Sequence, residues 1–284
     1  MKTLWVVLLL ALLPLLTGAA PAPAEVVLTA RDVASALDIE EAIKVATNWG
    51  TRPGVVTLDA RDGPFTYTQP DQSINIFYSG VTLRSLSGAT ITNCADGVFF
   101  DDLPLHDVAV RGITFRCGNS GFLIGWANHE ARRVMIQDNT FDVQAFGIGI
   151  ALGRDVVIVR NAVTGANADA INLVRPTNAR ILGNDLHGSQ GVLLDGATDS
   201  EVTGNDIDAT GLGVVLQQGC DDNKVDGNRI SGVHAAGIVF EGDSSGNKVH
   251  GNWVTCAPGA DCLAVDASPA AWEANQISGN KIAD

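Results

Sequence analysis

Acidic and amide side chains recur at one position of an apolar phrase in the second half of the chain. The phrase reads GVLLDG, GVVLQQ and GIVFEG, and its fifth residue is in turn Asp195, Gln217 and Glu241. A pair of carboxylates can cleave a glycosidic bond when one donates a proton and the other activates water. The pattern predicts Asp195 and Glu241 as candidate catalytic residues and Gln217 as a side chain that hydrogen-bonds a sugar hydroxyl.

The apolar residues of the phrase predict which way its side chains point. Its second and fourth residues are apolar and should point inward, so its fifth residue should face solvent. Asp195 and Glu241 are two repeats apart, about 9.5 Å if the repeats stack as strands. The alternative interpretation is that these acids are ordinary solvated turn residues. In the other copies of the phrase the same position holds Asp101, Gly125, Ala151, Leu173 and Val265.

A second candidate site is electrostatic. Residues 111–180 hold eight arginines against five acids, whereas residues 185–284 hold fifteen acids against four bases. Arg133, Arg154 and Arg175 follow one another at about the repeat spacing, so we predict a row of guanidinium groups that binds the carboxylates or sulfates of an acidic polymer. The alternative is that the arginines pair with Glu130, Asp138 and Asp155.

These candidates depend on a longer repeat that must position them. A phrase of the form V-x-G-N-x-I recurs, with an apolar residue three positions before and two positions after each asparagine. A period of this length, with short β-type runs and no helix between them, predicts an all-β, single-stranded right-handed parallel β-helix of about nine to ten coils. The asparagines stand 21 to 28 residues apart: Asn139, Asn161, Asn184, Asn205, Asn228, Asn252 and Asn280.

The asparagine column has a structural explanation. An asparagine tolerates a left-handed backbone at a tight corner, and its amide can hydrogen-bond to the copies above and below. We therefore predict an asparagine ladder inside the solenoid with no catalytic role.

The N-terminal region departs from the repeat. Residues 1–24 have the charged, apolar and small-residue parts of a signal peptide, so we expect export to the periplasm or the outside of the cell, with residues 25–284 as one β-helix domain. Residues 25–60 are expected to form the N-terminal cap. Within them a short helix over 35–50 should place Ile39, Ile43 and Trp49 on one face that covers the first coil.

The charge and the cysteine content limit the classes of partner and metal that the chain could bind. The formal net charge is −14, which disfavours nucleic acid as a partner. No run after the leader is long enough to insert into a membrane. In an oxidising compartment we expect disulfides Cys94–Cys117 and Cys256–Cys262, which leave Cys220 unpaired. No cysteine or histidine spacing predicts a metal site.

With its repeated "G-I-x-L" and "N-x-I-x-G-N-x-I" phrases and the segment GVTLRSLSGATI at 80–91, the chain resembles the pectate-lyase-like superfamily of right-handed parallel β-helices. The resemblance covers nearly all of the mature chain. It implies a polysaccharide, acidic in many members, as partner and calcium as a candidate cofactor. The N-T-D, G-H-G and D-P-H signatures of its hydrolases and epimerases are absent.

Two functions stay open at this point. The first is an exported protein that binds a polysaccharide and cleaves it as a lyase or glycoside hydrolase. The second is a non-catalytic structural or adhesive module of the cell envelope. Long loops that wall a cleft would favour the first function, and uniformly short turns would favour the second.

Overall fold

The computed structural model describes residues 22–70, 72–100, 104–124 and 129–283. Residues 1–21 of the expected signal peptide, together with Asp101 and Gly125 of the apolar phrase, lie outside the described residues. None of the helices in the described ranges is long and apolar enough to cross a lipid bilayer.

The first sheet has 12 strands, and all of its pairings are parallel. Its strands stack in chain order, one per coil, except that the short β14 pairs beside β11. They are β1 Ala24–Thr29, β2 Gly54–Asp59, β5 Val81–Arg84, β8 His106–Arg111, β11 Ala131–Gln137, β14 Gly153–Arg154, β15 Val157–Val159, β17 Arg180–Leu182, β19 Glu201–Thr203, β21 Lys224–Asp226, β24 Lys248–His250 and β27 Gln276–Ser278.

The second sheet has 16 strands and is also parallel. Its strands lie in two rows, which we call the first limb and the second limb. In each coil the chain leaves the first sheet, passes through the first limb, bends and then passes through the second limb. Three long strands run through both limbs. The strands are β3 Phe65–Thr66, β4 Ile74–Asn75, β6 Thr90–Cys94, β7 Val98–Phe100, β9 Thr114–Cys117, β10 Phe122–Ile124, β12 Thr140–Asp142, β13 Ile148–Ala151, β16 Ala162–Val174, β18 Asp185–Asp195, β20 Asp206–Gln217, β22 Arg229–Val233, β23 Ala236–Glu241, β25 Trp253–Cys256, β26 Leu263–Asp266 and β28 Lys281–Ile282.

These strands confirm the predicted parallel β-solenoid, which makes about 9 turns. Apolar side chains from the first sheet and from both limbs of the second sheet meet in one continuous core. Within it Phe115 and Phe141 stack with ring centroids 5.4 Å apart, on strands that are neighbours in register. Each coil buries its apolar side chains only because the next coil covers them.

The predicted asparagine ladder is present from Asn139 to Asn280. In each step the backbone N–H and the side-chain Nδ2 of one asparagine both donate to Oδ1 of the asparagine on the next coil. Nδ2 also donates to a strand carbonyl, as Asn205 does to Ile181 O at 2.9 Å. Every inward polar group at this corner is therefore satisfied without water.

The left-handed backbone belongs to the residue before each asparagine, and not to the asparagine as the sequence suggested. Asp138 and Arg160 have φ of 55° and 52°, and Gly183 and Gly204 stand at the same position of the next coils with φ of 59° and 63°. The chain turns at this residue so that the asparagine that follows can point inward. Glycine is favoured there because positive φ costs it no strain.

A second polar ladder runs parallel to the first one, five residues earlier in each coil. Asn223 N–H and Nδ2 donate to Asn247 Oδ1, and Asn247 donates to Asn275 in the same way. Ser200 holds this position one coil earlier. We did not predict this ladder, although its spacing to the main ladder is constant in the sequence.

The N-terminal cap contains helix α1, Ala36–Thr47, followed after β2 by a 3-10 turn at Ala60–Asp62. Ile39 and Ile43 are buried against the first coil, as predicted. Trp49 is not on that face. The helix ends at Thr47, Asn48 and Trp49 take φ of 48° and 57°, and the indole is 64% exposed. At the other end a short helix α2, Pro269–Ala274, precedes the last first-sheet strand.

Both expected disulfides are present, Cys94–Cys117 between neighbouring coils and Cys256–Cys262 within one loop. Cys220 is free and fully buried. Its Sγ accepts from Ala197 N–H, and burial raises the pKa of the thiol.

Replacing Asn205 by Ala should strongly destabilise the protein. The change leaves Ile181 C=O and two N–H groups of Asn184 buried without partners, at about 1–3 kcal/mol for each orphaned group. We expect a loss of at least about 3 kcal/mol in urea unfolding followed by circular dichroism. Asn280→Ala is the matched control, because water reaches the last rung. Equal losses in the two variants would contradict the ladder as a source of stability.

Thiol titration should distinguish Cys220 from the paired cysteines. Without reductant we expect almost no reaction of the native protein with an aromatic disulfide reagent, since Cys220 is buried and its pKa is raised. In denaturant one thiol per chain should react, and after reduction all five cysteines should react. Three or five reactive thiols in denaturant alone would refute the pairing.

Candidate functional site

The candidate row lies on the outer side of the second limb. Asp195, Gln217 and Glu241 are register partners on three neighbouring parallel strands. The flanking residues Leu194 and Leu216 point into the core and are fully buried, as the alternation predicts. The three polar side chains form one column at strand spacing, with Asp195 and Glu241 about 9.5 Å apart at the backbone.

The sequence placed Leu173 and Val265 in this column, and both placements are wrong, since Val265 is the partner of Ile238. Leu173 is the partner of Leu194 and is fully buried, whereas Val174 is the partner of Asp195. The bends between the two limbs contain different numbers of residues, and strand β16 is irregular between Val163 and Asp169. The register shifts twice there, between Val163 and Ala166 and between Ala166 and Asp169. The phrase read from Asp169 is therefore one position out of frame, and an error of one position exchanges the inner and outer faces.

The predicted arginines do not form one row of stacked guanidinium groups. Arg154 is the register partner of Arg132, and the next residue in its column is Thr177. Arg175 belongs to another corner, where its N–H donates to Asp195 O. Arg133 occupies a third position, with φ of 51°. The three arginines therefore do not share one surface on which they could bind a polymer together.

Two of the three arginines are held in ion pairs. Arg133 makes two bonds to Asp107, from Nε at 2.6 Å and Nη2 at 2.7 Å, and this contact lowers the pKa of Asp107. Arg154 Nε lies 2.8 Å from Glu130 Oε1, and this bond lowers the pKa of Glu130. Arg175 is exposed and has no ion pair with another described residue.

Asp169 is the most perturbed carboxyl group near the candidate face. It lies at the bend between the two limbs, is 8% exposed and has no cation beside it. Burial raises its pKa, although Asn172 Nδ2 donates to Oδ2 at 2.6 Å. Its register partner Gln190 has a buried Oε1 with no hydrogen bond to another described residue. The environment favours the protonated acid, which is the form that a general acid needs.

A histidine lies between two carboxylates on the outer side of the first limb. His187 Nε2 is 3.0 Å from Asp185, and its Nδ1 is 3.4 Å from Asp208 on the next coil. A shallow depression beside it includes Asn167 and Ser189. The sequence alone does not indicate this contact, because only the fold brings Asp208 next to His187.

No group of three or more histidine, cysteine or acidic side chains converges as metal ligands within the described ranges. Asp195 and Glu241 are separated by Gln217, so a calcium ion would need oxygen atoms from a bound polymer to complete its shell.

The family model described as "Right handed beta helix region" matches residues 120–282, more than half of the chain. The chain belongs to this family, and the predicted handedness is confirmed. No curated protein sequence matches the chain.

Solved structures with the same fold share little sequence with this chain. The A-module of mannuronan C-5 epimerase AlgE6 from Azotobacter vinelandii is 16% identical, covers 90% of this chain and 99% of its own, and gives a TM-score of 0.54. The surface adhesin PfbA of Streptococcus pneumoniae is 15% identical, covers 90% of this chain and 93% of its own, and gives a TM-score of 0.51. A tailspike protein mutant of E. coli bacteriophage HK620, in complex with a pentasaccharide, is 11% identical, covers 87% of this chain and 52% of its own, and gives a TM-score of 0.61. At these identities the likeness shows the fold.

Replacing Asp169 by Asn should change how stability depends on pH. Between the ordinary pKa of aspartate, near 4, and the raised folded value, the folded chain holds a proton that the unfolded chain has released. The free energy of unfolding of the wild type therefore falls as pH rises through this window. We expect the variant to match the wild type in acid and to be more stable at neutral pH, measured by thermal unfolding.

Asp138→Asn is the control, for which we expect the opposite change in stability at neutral pH. Arg160 lowers the pKa of Asp138, so that pair stabilises the fold at neutral pH and is lost as pH falls. The Asp138 variant should be less stable than the wild type at neutral pH and should approach the stability of the wild type in acid. A parallel pH response of the two variants would contradict the assignment for Asp169.

Proposed function

We propose that the chain is an exported protein that binds a polysaccharide along the outer side of the second limb. The observation that carries this proposal is the column of Asp195, Gln217 and Glu241, three hydrogen-bonding side chains held in register on neighbouring strands. Parallel strands are about 4.8 Å apart, which is close to the length of one sugar unit. A polymer lying along the solenoid axis would meet one polar side chain per sugar.

The surface beside the column also suits a sugar chain. One step along the strands, Leu193 is half-buried and Val215 and Val239 are 2% and 8% exposed. Leu193 therefore offers apolar surface next to the polar column, whereas Val215 and Val239 are too buried to contact a ligand. A sugar ring has a face of C–H groups and an edge of hydroxyls, so a surface with both characters is complementary to it.

The charge of this face favours a polymer rich in hydroxyl groups. Asp195 and Glu241 are acidic. Of the three arginines that we predicted as anion ligands, Arg133 and Arg154 are engaged by Asp107 and Glu130, and Arg175 alone has no ion pair with another described residue. A neutral polysaccharide can donate hydroxyl hydrogen atoms to both carboxylates. An acidic polysaccharide would need a bridging cation, and calcium is the candidate.

The likeness to other solenoids supports a carbohydrate partner in general terms. One similar structure is a mannuronan epimerase module and another is a tailspike in complex with a pentasaccharide. The adhesin PfbA supports the alternative of an adhesive module. One loop of the chain, closed by the disulfide Cys256–Cys262, is short, with a sequence separation of 6, which agrees with binding without cleavage.

Cleavage of the bound polymer is a second candidate function. Asp169 favours it, because a nearly buried carboxyl group with a raised pKa can act as a general acid. Asp195 and Glu241 also approach the upper end of the carboxylate separation of inverting glycosidases. Asp169 and the pair Asp195 and Glu241 are alternative catalytic sites, because Asp169 lies at the bend and the pair lies at the other end of the second limb.

The test uses the purified mature protein with soluble polysaccharides of known composition. A neutral glucan, a xylan and a polyuronate are each titrated with and without calcium by isothermal calorimetry. Reducing ends and absorbance of unsaturated uronates are read in parallel. We expect binding of at least one polymer, and binding of none would contradict the proposal.

Gln217→Ala should weaken binding of that polymer about fivefold, the loss of roughly one hydrogen bond. Gln137→Ala is the matched control, because Gln137 is a half-buried, outward glutamine on the first sheet. Equal effects of the two changes would exclude the column as the site. Products that disappear in Asp169→Asn but persist in Glu241→Gln would assign cleavage to the bend.

A further inference from the structure

A depression near the capped end of the solenoid combines exposed aromatic and polar side chains. It lies at the corner where the chain leaves the second sheet for the first, and its lining includes Trp49, Arg52, Phe77, Tyr78, His106 and Asp107. Along the second sheet β4 is five strands before β18. The depression is therefore about 24 Å from the Asp195 column, and the two are separate sites.

Two aromatic side chains of this depression face water. Trp49 is 64% exposed and Phe77 is 38% exposed. Trp49 also has a positive φ, which is an outlier for a bulky residue. The helix end enforces it, because Asn48 N–H and Trp49 N–H donate to Val45 O and Lys44 O. Strain of this kind persists where the surrounding structure fixes it, and such positions concentrate at binding sites.

Glycines hold the other wall of the depression in place. A Cβ on Gly50 would lie 2.7 Å from Tyr78 Cδ1, so the tyrosine ring packs directly on the backbone next to Trp49. Gly54 N–H donates to Gly80 O at 3.0 Å, and Gly80 N–H donates to His106 O at 2.9 Å. These bonds join the backbones of three successive coils at this wall.

Among the described residues that line the depression, the charged side chains are Arg52 and Asp107. Asp107 is neutralised by Arg133, and Lys44 near Trp49 is paired with Glu41. Arg52 is exposed and has no ion pair with another described residue. Its guanidinium group is therefore available to an anion.

We propose that this depression binds a carboxylated sugar ring. The indole of Trp49 and the ring of Phe77 offer apolar faces to the C–H face of a pyranose. Arg52 pairs with the carboxylate of the sugar. His106 Nδ1 lies 2.8 Å from Asp107 Oδ2, so a sugar hydroxyl would bond to its Nε2. The site stands apart from the proposed outer-face site, and it takes an acidic sugar where the Asp195 column suits hydroxyl groups.

The test compares two oligosaccharides of equal length, an oligouronate and a neutral oligoglucoside of about six units, by isothermal calorimetry. The oligouronate should bind at least several-fold more tightly, and its affinity should fall as salt is raised. Trp49→Ala should weaken that binding about tenfold or more. Arg52→Gln should lower the affinity for the oligouronate to that for the neutral oligosaccharide.

Trp253→Ala is the matched control. Trp253 is 53% exposed and has Lys281 over its ring, but it lies near the other end of the solenoid. Thermal unfolding checks that every variant is folded, and Trp49 lies outside the core. Wild-type affinity in Trp49→Ala, equal affinity for both oligosaccharides, an equal loss in Trp253→Ala, or no binding of the oligouronate would each overturn the proposal. Gln217→Ala should retain this binding, so failure of the outer-face site and failure of this one are distinguishable.

Discussion

The stacking of each coil on the next through parallel strands is the interaction on which the rest of the molecule depends. It forces every coil to place equivalent residues above one another, so any polar group turned inward must be satisfied by its own copies. The asparagine ladder meets this requirement, since each Oδ1 accepts two bonds from the coil before it. The second ladder through Asn223 and Asn247 does the same at another corner. A single unsatisfied rung would leave buried backbone groups without partners on both sides.

The same stacking also fixes the spacing of charged side chains on the surface. Like charges in one column are held about 4.8 Å apart, so an acidic column repels itself unless cations are interleaved. Glu130 lies between Arg132 and Arg154, and Arg160 binds Asp138 of the preceding coil. These arginines therefore offset repulsion between coils. The Asp195, Gln217 and Glu241 column has no such cations and separates its two acids with an amide, which leaves its hydrogen-bonding groups directed to solvent.

Sequence periodicity predicted the fold, the main ladder and the Cys94–Cys117 disulfide, because those features follow the spacing of the coil. The Cys256–Cys262 disulfide joins residues six apart in one loop and does not depend on the repeat. Periodicity misplaced Leu173, because the number of residues in a bend varies and the alternation of faces is reset after each one. It missed the pairing of His187 with Asp208, which are on adjacent coils. Trp49 was assigned to the helix because its spacing fits a helical face, yet Asn48 ends the helix in a left-handed conformation first. Local turn chemistry overrode the periodic pattern there.

The end of a solenoid offers a kind of surface that its repeats do not. A regular column is flat along the axis, so it can follow an extended polymer but cannot enclose a single ring. The cap must cover the first strand edge and then return the chain to β2, and the tight turn after α1 places Trp49 beside Tyr78 of a later coil. Because these residues have no copies on other coils, they are free to converge on a concave site. The cap that protects the strand edge also provides a depression with aromatic walls, formed by side chains of different coils.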